Sequence, residues 1–251
     1  MSDAPKMLHV REKKTIRLHW FNALCWLLLI MSGFGIISGD FVRLAPAFWP
    51  EFMQGLFNGN ENLVLTHAIV GITWMAVFVL FILFNFKDVV FPFLKNVLVL
   101  TPKAIFNDLW SMTVTLAHLF GLMKNTPIPP QGRYNGAQRL LGTMIIFCSL
   151  LIAATGLYLF FGPMLFPFSE SAFYGSLFRW ALVAHSASVF FVLIGLVAHI
   201  YFAVIEERES LEAMKSGNVS IDFIKHHNEL WYEELKAQGS IDPHFRHIFK
   251  Y

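Results

Sequence analysis

Hydrophobic and polar positions alternate along this chain in long blocks, not with the short periods of a soluble helix or strand. A helix needs roughly 20 apolar residues to cross a bilayer. Four blocks have about this length and are strongly apolar: Trp20–Ile37, Leu63–Phe86, Leu140–Phe161 and Leu177–Ile205. A helix satisfies all of its backbone hydrogen bonds internally, as the lipid interior requires. The pattern therefore predicts an all-α integral membrane protein, a four-transmembrane-helix bundle.

Two shorter apolar patches lie between the second and third blocks, at Val89–Leu100 and Leu109–Met123. The first contains Pro92 and Lys95, and the second is interrupted by His118. We therefore predict interfacial or amphipathic helices lying on the membrane. Reading either patch as a fifth span would invert the downstream topology.

The distribution of Lys and Arg predicts the orientation. Four spans place the N-terminal segment, the middle loop and the C-terminal tail on one side, with five, six and six Lys/Arg residues. The loops 38–62 and 162–179 on the other side hold only Arg43 and Arg179. By the positive-inside rule both termini are cytoplasmic. We predict a multi-pass protein of a bacterial or archaeal inner membrane, whose first span is not a cleaved signal peptide because no small-x-small cleavage site follows it.

Composition and cysteine spacing argue against several other classes of protein. Charged residues make up 14% of the chain, against about 25% in soluble domains, and a net charge of +2 gives no reason to expect a nucleic acid partner. Cys25 and Cys148 lie in apolar stretches without CxxC or CxxCH spacing, which argues against disulfides, an iron–sulfur cluster or a c-type haem. We expect a transmembrane domain at 1–205 and a polar, locally acidic cytoplasmic tail at 206–251.

Ionisable side chains inside a membrane are costly and usually functional. The span interiors contain no Asp, Glu or Lys, but they contain His67, His185 and His199, while His19 stands at the mouth of the first span. His185 and His199 are fourteen residues apart, so they face within about 40° of one direction and lie about 21 Å apart along the helix. The topology places His19 level with His199 near the cytoplasm, and His67 level with His185 near the periplasm.

Two histidines at one depth on facing helices suit axial ligation of a haem iron. The second ring nitrogen of each can donate to a carbonyl of its own helix. Zinc would need further ligands, and the lack of intramembrane carboxylates disfavours an ion transporter. The alternative is that each histidine only hydrogen-bonds between helices. Haem also needs small neighbours, for which Gly33, Gly71 and Gly195 are candidates.

A family resemblance rests on elements spread over most of the chain: Arg17–Trp20, Pro127–Pro130, Tyr134–Arg139, the His185/His199 pair, Ala213–Met214, His226–His227 and Trp231–Tyr232. In these the chain resembles the cytochrome b, or gamma, subunits of membrane-bound formate dehydrogenases, within the wider family of four-helix dihaem cytochromes b.

The resemblance implies two haems b, one held by His67 and His185 on the periplasmic side and one by His19 and His199 on the cytoplasmic side. It also implies that menaquinone or a related quinone binds near Asn135, Gly136 and Gln138. The family element there often reads Asn-Ala-Gly, whereas this chain has Asn-Gly-Ala. Side-chain amides can donate to quinone oxygens, but Asn135 also precedes the third span and is a suitable helix N-cap.

These observations predict a membrane electron-transfer subunit that receives electrons from an iron–sulfur partner subunit and delivers them to quinone. The primary substrate would be oxidised on a separate catalytic subunit, because no motif for molybdenum, flavin or nicotinamide is present. Two alternatives stay open: a free-standing dihaem cytochrome that exchanges electrons between quinone and a small redox partner, and a haem-free membrane anchor.

Overall fold

The computed structural model describes residues 6–39, 45–167 and 171–241; Arg43 lies outside them. The described residues include four helical segments long and apolar enough to cross a membrane: Lys13–Ile36, Asn60–Val97, Gly136–Leu165 and Ala172–Glu206. The predicted all-α membrane fold and its four spans are confirmed. Large apolar side chains on these helices are exposed, with Phe84 80% and Trp180 70% accessible, and lipid is the surrounding that favours such a surface.

The described chain contains ten α-helices and two short strands, in this order: β1 (Met7–His9), α1 (Lys13–Ile36), α2 (Phe48–Leu56), α3 (Asn60–Asn85), α4 (Phe91–Val97), α5 (Pro102–Leu119), α6 (Gly136–Leu165), α7 (Ala172–Tyr201), α8 (Arg208–Ser216), β2 (Asn218–Ser220), α9 (Ile221–His227) and α10 (Glu229–Ala237). Single π-helical turns, Phe86–Val90 and Phe202–Glu206, follow α3 and α7.

The helix predicted at Val89–Leu100 is present as α4, but no loop separates it from the second span. Asn85 leaves the α conformation, with φ −126° and ψ 19°, and the π-helical turn leads directly into α4. The second predicted helix, Leu109–Met123, begins earlier, as α5. There the Thr101 hydroxyl accepts from the Ala104 N–H and Pro102 occupies the first turn, which are ordinary helix-start signals.

Helix α5 is amphipathic in an unusual sense. Its buried positions are Asp108, Ser111 and Val114, whereas Phe106 is 70% exposed and Trp110 45%. A helix that turns polar groups toward the protein and large apolar groups outward suits the membrane interface.

The described chain divides into two compact units. The first, here the paired-histidine unit, comprises Arg17–Phe84 and Cys148–Leu193. Within it, α1 packs on α3, where Trp74 Nε1 donates to Asn22 Oδ1 at 2.8 Å. Helix α2 was not predicted; it packs on α1, and a Cβ at Gly35 would lie 2.6 Å from Met53 Cβ. Only glycine permits that approach.

The second, here the tail unit, comprises the N-terminal segment to Ile16, Asn85–Phe147 and the chain from Ile194. Its hydrophobic core is formed by Ala213, Val219, Ile224 and Leu235. Strands β1 and β2 pair antiparallel, with Leu8 opposite Val219. The N-terminal segment and the tail therefore fold together. The expected domain boundary at 205/206 remains a prediction.

Candidate functional site

His67 on α3 and His185 on α7 face each other within the paired-histidine unit. Their ring centroids are 6.4 Å apart and the ring planes are inclined by 68°. A metal–imidazole bond is about 2 Å long and a ring nitrogen lies about 1 Å from its ring centre, so two imidazoles on opposite sides of one metal would have centroids roughly 6 Å apart. The observed separation fits a single metal ion shared by both rings.

A hydroxyl group contacts Nδ1 of each ring, an arrangement that fits protonation of both rings on Nδ1. Ser32 Oγ donates to the Leu28 carbonyl at 2.7 Å and also lies 2.8 Å from His67 Nδ1. A hydroxyl has one proton, so when that proton is given to the Leu28 carbonyl, Ser32 Oγ accepts from His67 Nδ1–H. His67 is then protonated on Nδ1, and its Nε2 presents a lone pair.

His185 on α7 is held in the same way by a hydroxyl group on α6. Thr155 Oγ1 donates to the Leu151 carbonyl and lies 3.1 Å from His185 Nδ1. The Ile152 carbonyl is a second acceptor, 3.2 Å from the same nitrogen. Each histidine thus donates from Nδ1 to a neighbouring helix, α1 or α6. The prediction that each would donate to a carbonyl of its own helix is wrong. Both Nε2 atoms remain available as metal ligands.

A glycine beside each hydroxyl makes room for the ring. A Cβ at Gly33 would lie 3.3 Å from His67 Cε1, and a Cβ at Gly156 would lie 3.3 Å from His185 Cε1. Gly33, one of the three glycines predicted to lie beside a haem, thus lies beside His67. Gly71 and Gly195 serve helix packing, against Leu29 and against Leu141 and Met144.

The ligand set restricts what the site can hold. Among the described residues there is no group of three or more His, Cys, Asp or Glu side chains suited to one metal ion. Two imidazoles alone do not complete a protein zinc site. A porphyrin supplies the remaining ligands of an iron held by two axial histidines, so the residues present fit haem.

His19 and His199 belong to different compact units, and their predicted pairing stays a prediction. His19 lies in α1, with its ring 5.5 Å from that of Trp20 in an edge-on contact. His199 lies in the last turn of α7, on the same helix as His185.

Asn135 and Gln138 cap the start of α6. Gln138 N–H donates to Asn135 Oδ1 at 2.8 Å, and Asn135 N–H donates to Gln138 Oε1 at 3.2 Å, which is a reciprocal capping box. Gln138 Nε2 also donates to Glu207 Oε2 at 3.3 Å. The cap uses the amide oxygen of Asn135 and leaves its NH₂ group for other contacts.

Gly136 is explained by the approach of α5. A Cβ at Gly136 would lie 2.8 Å from the Asp108 carbonyl oxygen, and Gly136 N–H donates to Gln131 Oε1 at 3.0 Å. Glycine is therefore needed at the first position after Asn135, which accounts for the order Asn-Gly-Ala in this chain.

A small cavity of about 60 Å³ adjoins the capping box. Tyr134, Asn135, Gln138 and Glu207 line it together with Arg11. It is polar and large enough for water. The tail closes over the adjoining loop, where Asn228 Nδ2 donates to the Gly132 carbonyl at 2.7 Å.

Ser32, Thr155 and Gly156 were not predicted from the sequence. The signal was present: a hydroxyl residue followed by glycine occurs in the first span as Ser32–Gly33 and again in the third as Thr155–Gly156. Its meaning depends on which helices are neighbours.

Comparison with known proteins identifies the family to which the chain belongs. Residues 11–217 match the family described as prokaryotic cytochrome b561. The chain is 23% identical over 218 residues to the formate dehydrogenase cytochrome b556(fdo) subunit of Escherichia coli strain K12, covering 87% of this chain and 88% of that protein. It is also 23% identical over 228 residues to the formate dehydrogenase cytochrome b556 subunit of Haemophilus influenzae strain Rd, covering 90% and 82%. With four membrane-spanning helices, a facing histidine pair and a family match over most of its length, the chain belongs to the prokaryotic cytochrome b561 family.

Proposed function

We propose that this chain is the dihaem electron-transfer subunit of a formate-dehydrogenase-like complex, and that it passes electrons to quinone. Membership of a cytochrome b family implies haem b. The observation that carries the proposal is the His67/His185 pair, with its 6.4 Å ring separation and both Nδ1 protons donated elsewhere. Bound haem supplies reversible one-electron chemistry, and the protein supplies ligation, spacing and orientation.

His19 and His199 are proposed as ligands of a second haem on the cytoplasmic side. The support is the placement of His185 and His199 fourteen residues apart on the continuous helix α7. One helix can thereby present a ligand near each membrane face.

Asn135, Gly136 and Gln138 are proposed as the quinone-binding element. Amide N–H groups suit quinone oxygens, and the adjoining polar cavity can deliver water-borne protons. Gly136 contributes by letting α5 approach the element closely.

The partners follow from the names of the relatives, which are formate dehydrogenase subunits. We propose an iron–sulfur subunit as electron donor and a separate catalytic subunit that oxidises the primary substrate. The Lys/Arg distribution supports an inner-membrane location with both termini cytoplasmic.

Haem quantification on the purified chain tests the proposal. We expect two low-spin haems b per chain, one lost in His67→Ala and the other in His199→Ala. His118→Ala is the matched control: His118 lies outside the spans, where its Nε2 contacts the Thr126 carbonyl at 2.8 Å, and both haems should remain. One haem in the unmodified chain would refute the four-ligand assignment, and no haem would favour the anchor.

Purification of the chain from its native membrane separates the remaining alternative. A formate-dehydrogenase-like complex should copurify with an iron–sulfur subunit and reduce added quinone. A chain that purifies alone, and is oxidised or reduced by quinone without a partner, would be the free-standing cytochrome.

A further inference from the structure

We propose that Ser32 and Thr155 are positioning residues that set the reduction potential of the haem held by His67 and His185, and that Ser32 has the larger effect. This rests on the proposed function, because it assumes that the two histidines are the axial ligands. Neither hydroxyl would touch the iron; each would act through the imidazole that it holds.

The hydroxyls have the same local construction on two different helices. Each donates its proton to the carbonyl four residues earlier in its own helix, Ser32 to Leu28 and Thr155 to Leu151. Each oxygen is thereby oriented as an acceptor for an imidazole N–H on the neighbouring helix. The i−4 bond fixes the hydroxyl rotor, so the acceptor lone pairs have a set direction.

Burial strengthens these bonds. Ser32 is 6% exposed, and Thr155 and both histidines are partly buried. A hydrogen bond in a medium of low dielectric is stronger electrostatically than the same bond in water. Donation from Nδ1–H makes the imidazole a more basic ligand. A more basic ligand stabilises the oxidised, more positive iron, so these hydroxyls lower the reduction potential.

The two sites differ in the number of acceptors. His67 Nδ1 lies 2.8 Å from Ser32 Oγ. His185 Nδ1 lies 3.1 Å from Thr155 Oγ1 and 3.2 Å from the Ile152 carbonyl, so it shares its proton between two oxygens. Removal of the Thr155 hydroxyl leaves the backbone acceptor in place, whereas removal of the Ser32 hydroxyl takes away the short bond to His67. The larger change in potential is therefore expected at Ser32.

A potentiometric titration of the purified, haem-loaded protein tests this. Ser32→Ala should raise the midpoint potential of one haem and leave the other unchanged, and Thr155→Val, which keeps the shape of threonine, should raise the same potential by less. Ser32→Thr and Thr155→Ser keep a hydroxyl at these positions, so the potential should stay close to the wild-type value. The electron paramagnetic resonance signal of that haem depends on the orientation of its two imidazole rings, so it should also change in Ser32→Ala and Thr155→Val.

Loss of the haem in Ser32→Ala with recovery in Ser32→Thr would also support the positioning role. If Ser32→Ala and Ser32→Thr both fail to load haem, the midpoint potential of Thr155→Val tests the proposal instead. Unchanged potentials in loaded variants, or equal shifts of both haems, would overturn this inference alone. Retention of both haems in His67→Ala would instead overturn the proposed function.

Discussion

At the scale of single residues, two dipeptides, each a hydroxyl residue followed by glycine, contact the facing histidines. Ser32–Gly33 lies on α1 and Thr155–Gly156 on α6. In each, the hydroxyl accepts from an imidazole and the glycine lets the ring approach the helix to within van der Waals contact. The polar bond orients the ligand, and the missing side chain makes that orientation sterically possible.

Enlarging Gly33 should therefore selectively damage the haem proposed at His67 and His185. A Cβ there would lie 3.3 Å from His67 Cε1, so Gly33→Ala should perturb the spectrum of one haem. Gly33→Leu should remove that haem, since overpacking typically costs about 1–3 kcal/mol. Haem content and difference spectra provide the measurement.

Gly71→Ala is the control for this experiment. Its Cβ would meet Leu29 Cδ2 at 3.8 Å, an ordinary contact, and both haems should be retained. If Gly33→Leu also retains both haems with unaltered spectra, the Gly33 contact has no bearing on haem binding.

Asp108 gives a pH-dependent prediction. Burial raises the pKa of its carboxyl above the ordinary value of 3.8, although Arg139, 3.3 Å away, acts in the opposite direction. A carboxyl whose pKa is higher in the folded state favours folding most below the unfolded pKa, and that contribution is lost as the pH rises through the folded pKa. Asp108 should therefore reduce stability progressively from about pH 4 upward.

The substitution Asp108→Asn removes the titration and keeps the shape. The apparent unfolding temperature of the wild type, relative to the variant, should fall as the pH rises from mildly acidic to neutral. A difference that does not vary with pH would contradict the expected pKa shift.

At the scale of elements, the start of α6 combines structural and functional roles. Its capping box is reciprocal between Asn135 and Gln138, and α5 approaches it closely at Gly136. The same three residues are the proposed quinone element. A cap requires an acceptor oxygen at Asn135, whereas a quinone oxygen requires a donor, so the two roles use different atoms of one amide.

Asn135→Asp separates these roles because it keeps the acceptor oxygen and removes the N–H donors. Quinone turnover should fall about fivefold, the effect of one neutral hydrogen bond worth about 1 kcal/mol, while stability stays near that of the wild type. Asn135→Leu should reduce both turnover and stability, since a lost cap costs about 1 kcal/mol. Turnover is measured with added quinone, and stability by thermal unfolding.

Both haem spectra should remain intact in these variants. If Asn135→Asp turns over quinone at the wild-type rate and only Asn135→Leu is impaired, Asn135 is a helix cap and the quinone binds elsewhere.

At the scale of the whole molecule, pairing of β1 with β2 requires the N-terminal segment and the tail to lie on one side of the membrane. Four spans meet that requirement. The bias of Lys and Arg toward this side is the basis of the proposal that it is the cytoplasmic side.

Labelling of single cysteines with a membrane-impermeant reagent checks the orientation. Glu51→Cys on α2 should be labelled in intact cells, provided the reagent can pass the outer layers, and Lys236→Cys on α10 only after the membrane is opened. Both positions are exposed. The parent protein, whose Cys25 is buried and Cys148 partly buried, provides the background. The reverse labelling pattern would refute cytoplasmic termini.

The sequence alone established the four spans, because an apolar block of sufficient length can satisfy its backbone in lipid only as a helix. It also indicated His67 and His185 as partners, since helical rise and span order place them at one depth. Neither inference needs knowledge of which helices touch.

How these residues are held follows from contacts that form only in the folded chain. Whether His67 donates to its own helix or to Ser32 on α1 depends on which helix lies beside it and in what rotation, and a span that is apolar all round carries little periodicity to indicate that rotation. Helix α2 and the β1–β2 pair were missed for a related reason: nine-residue and three-residue elements are stabilised by what they pack against. Local pattern determined the four spans here, and contacts between distant segments determined the short elements and the site.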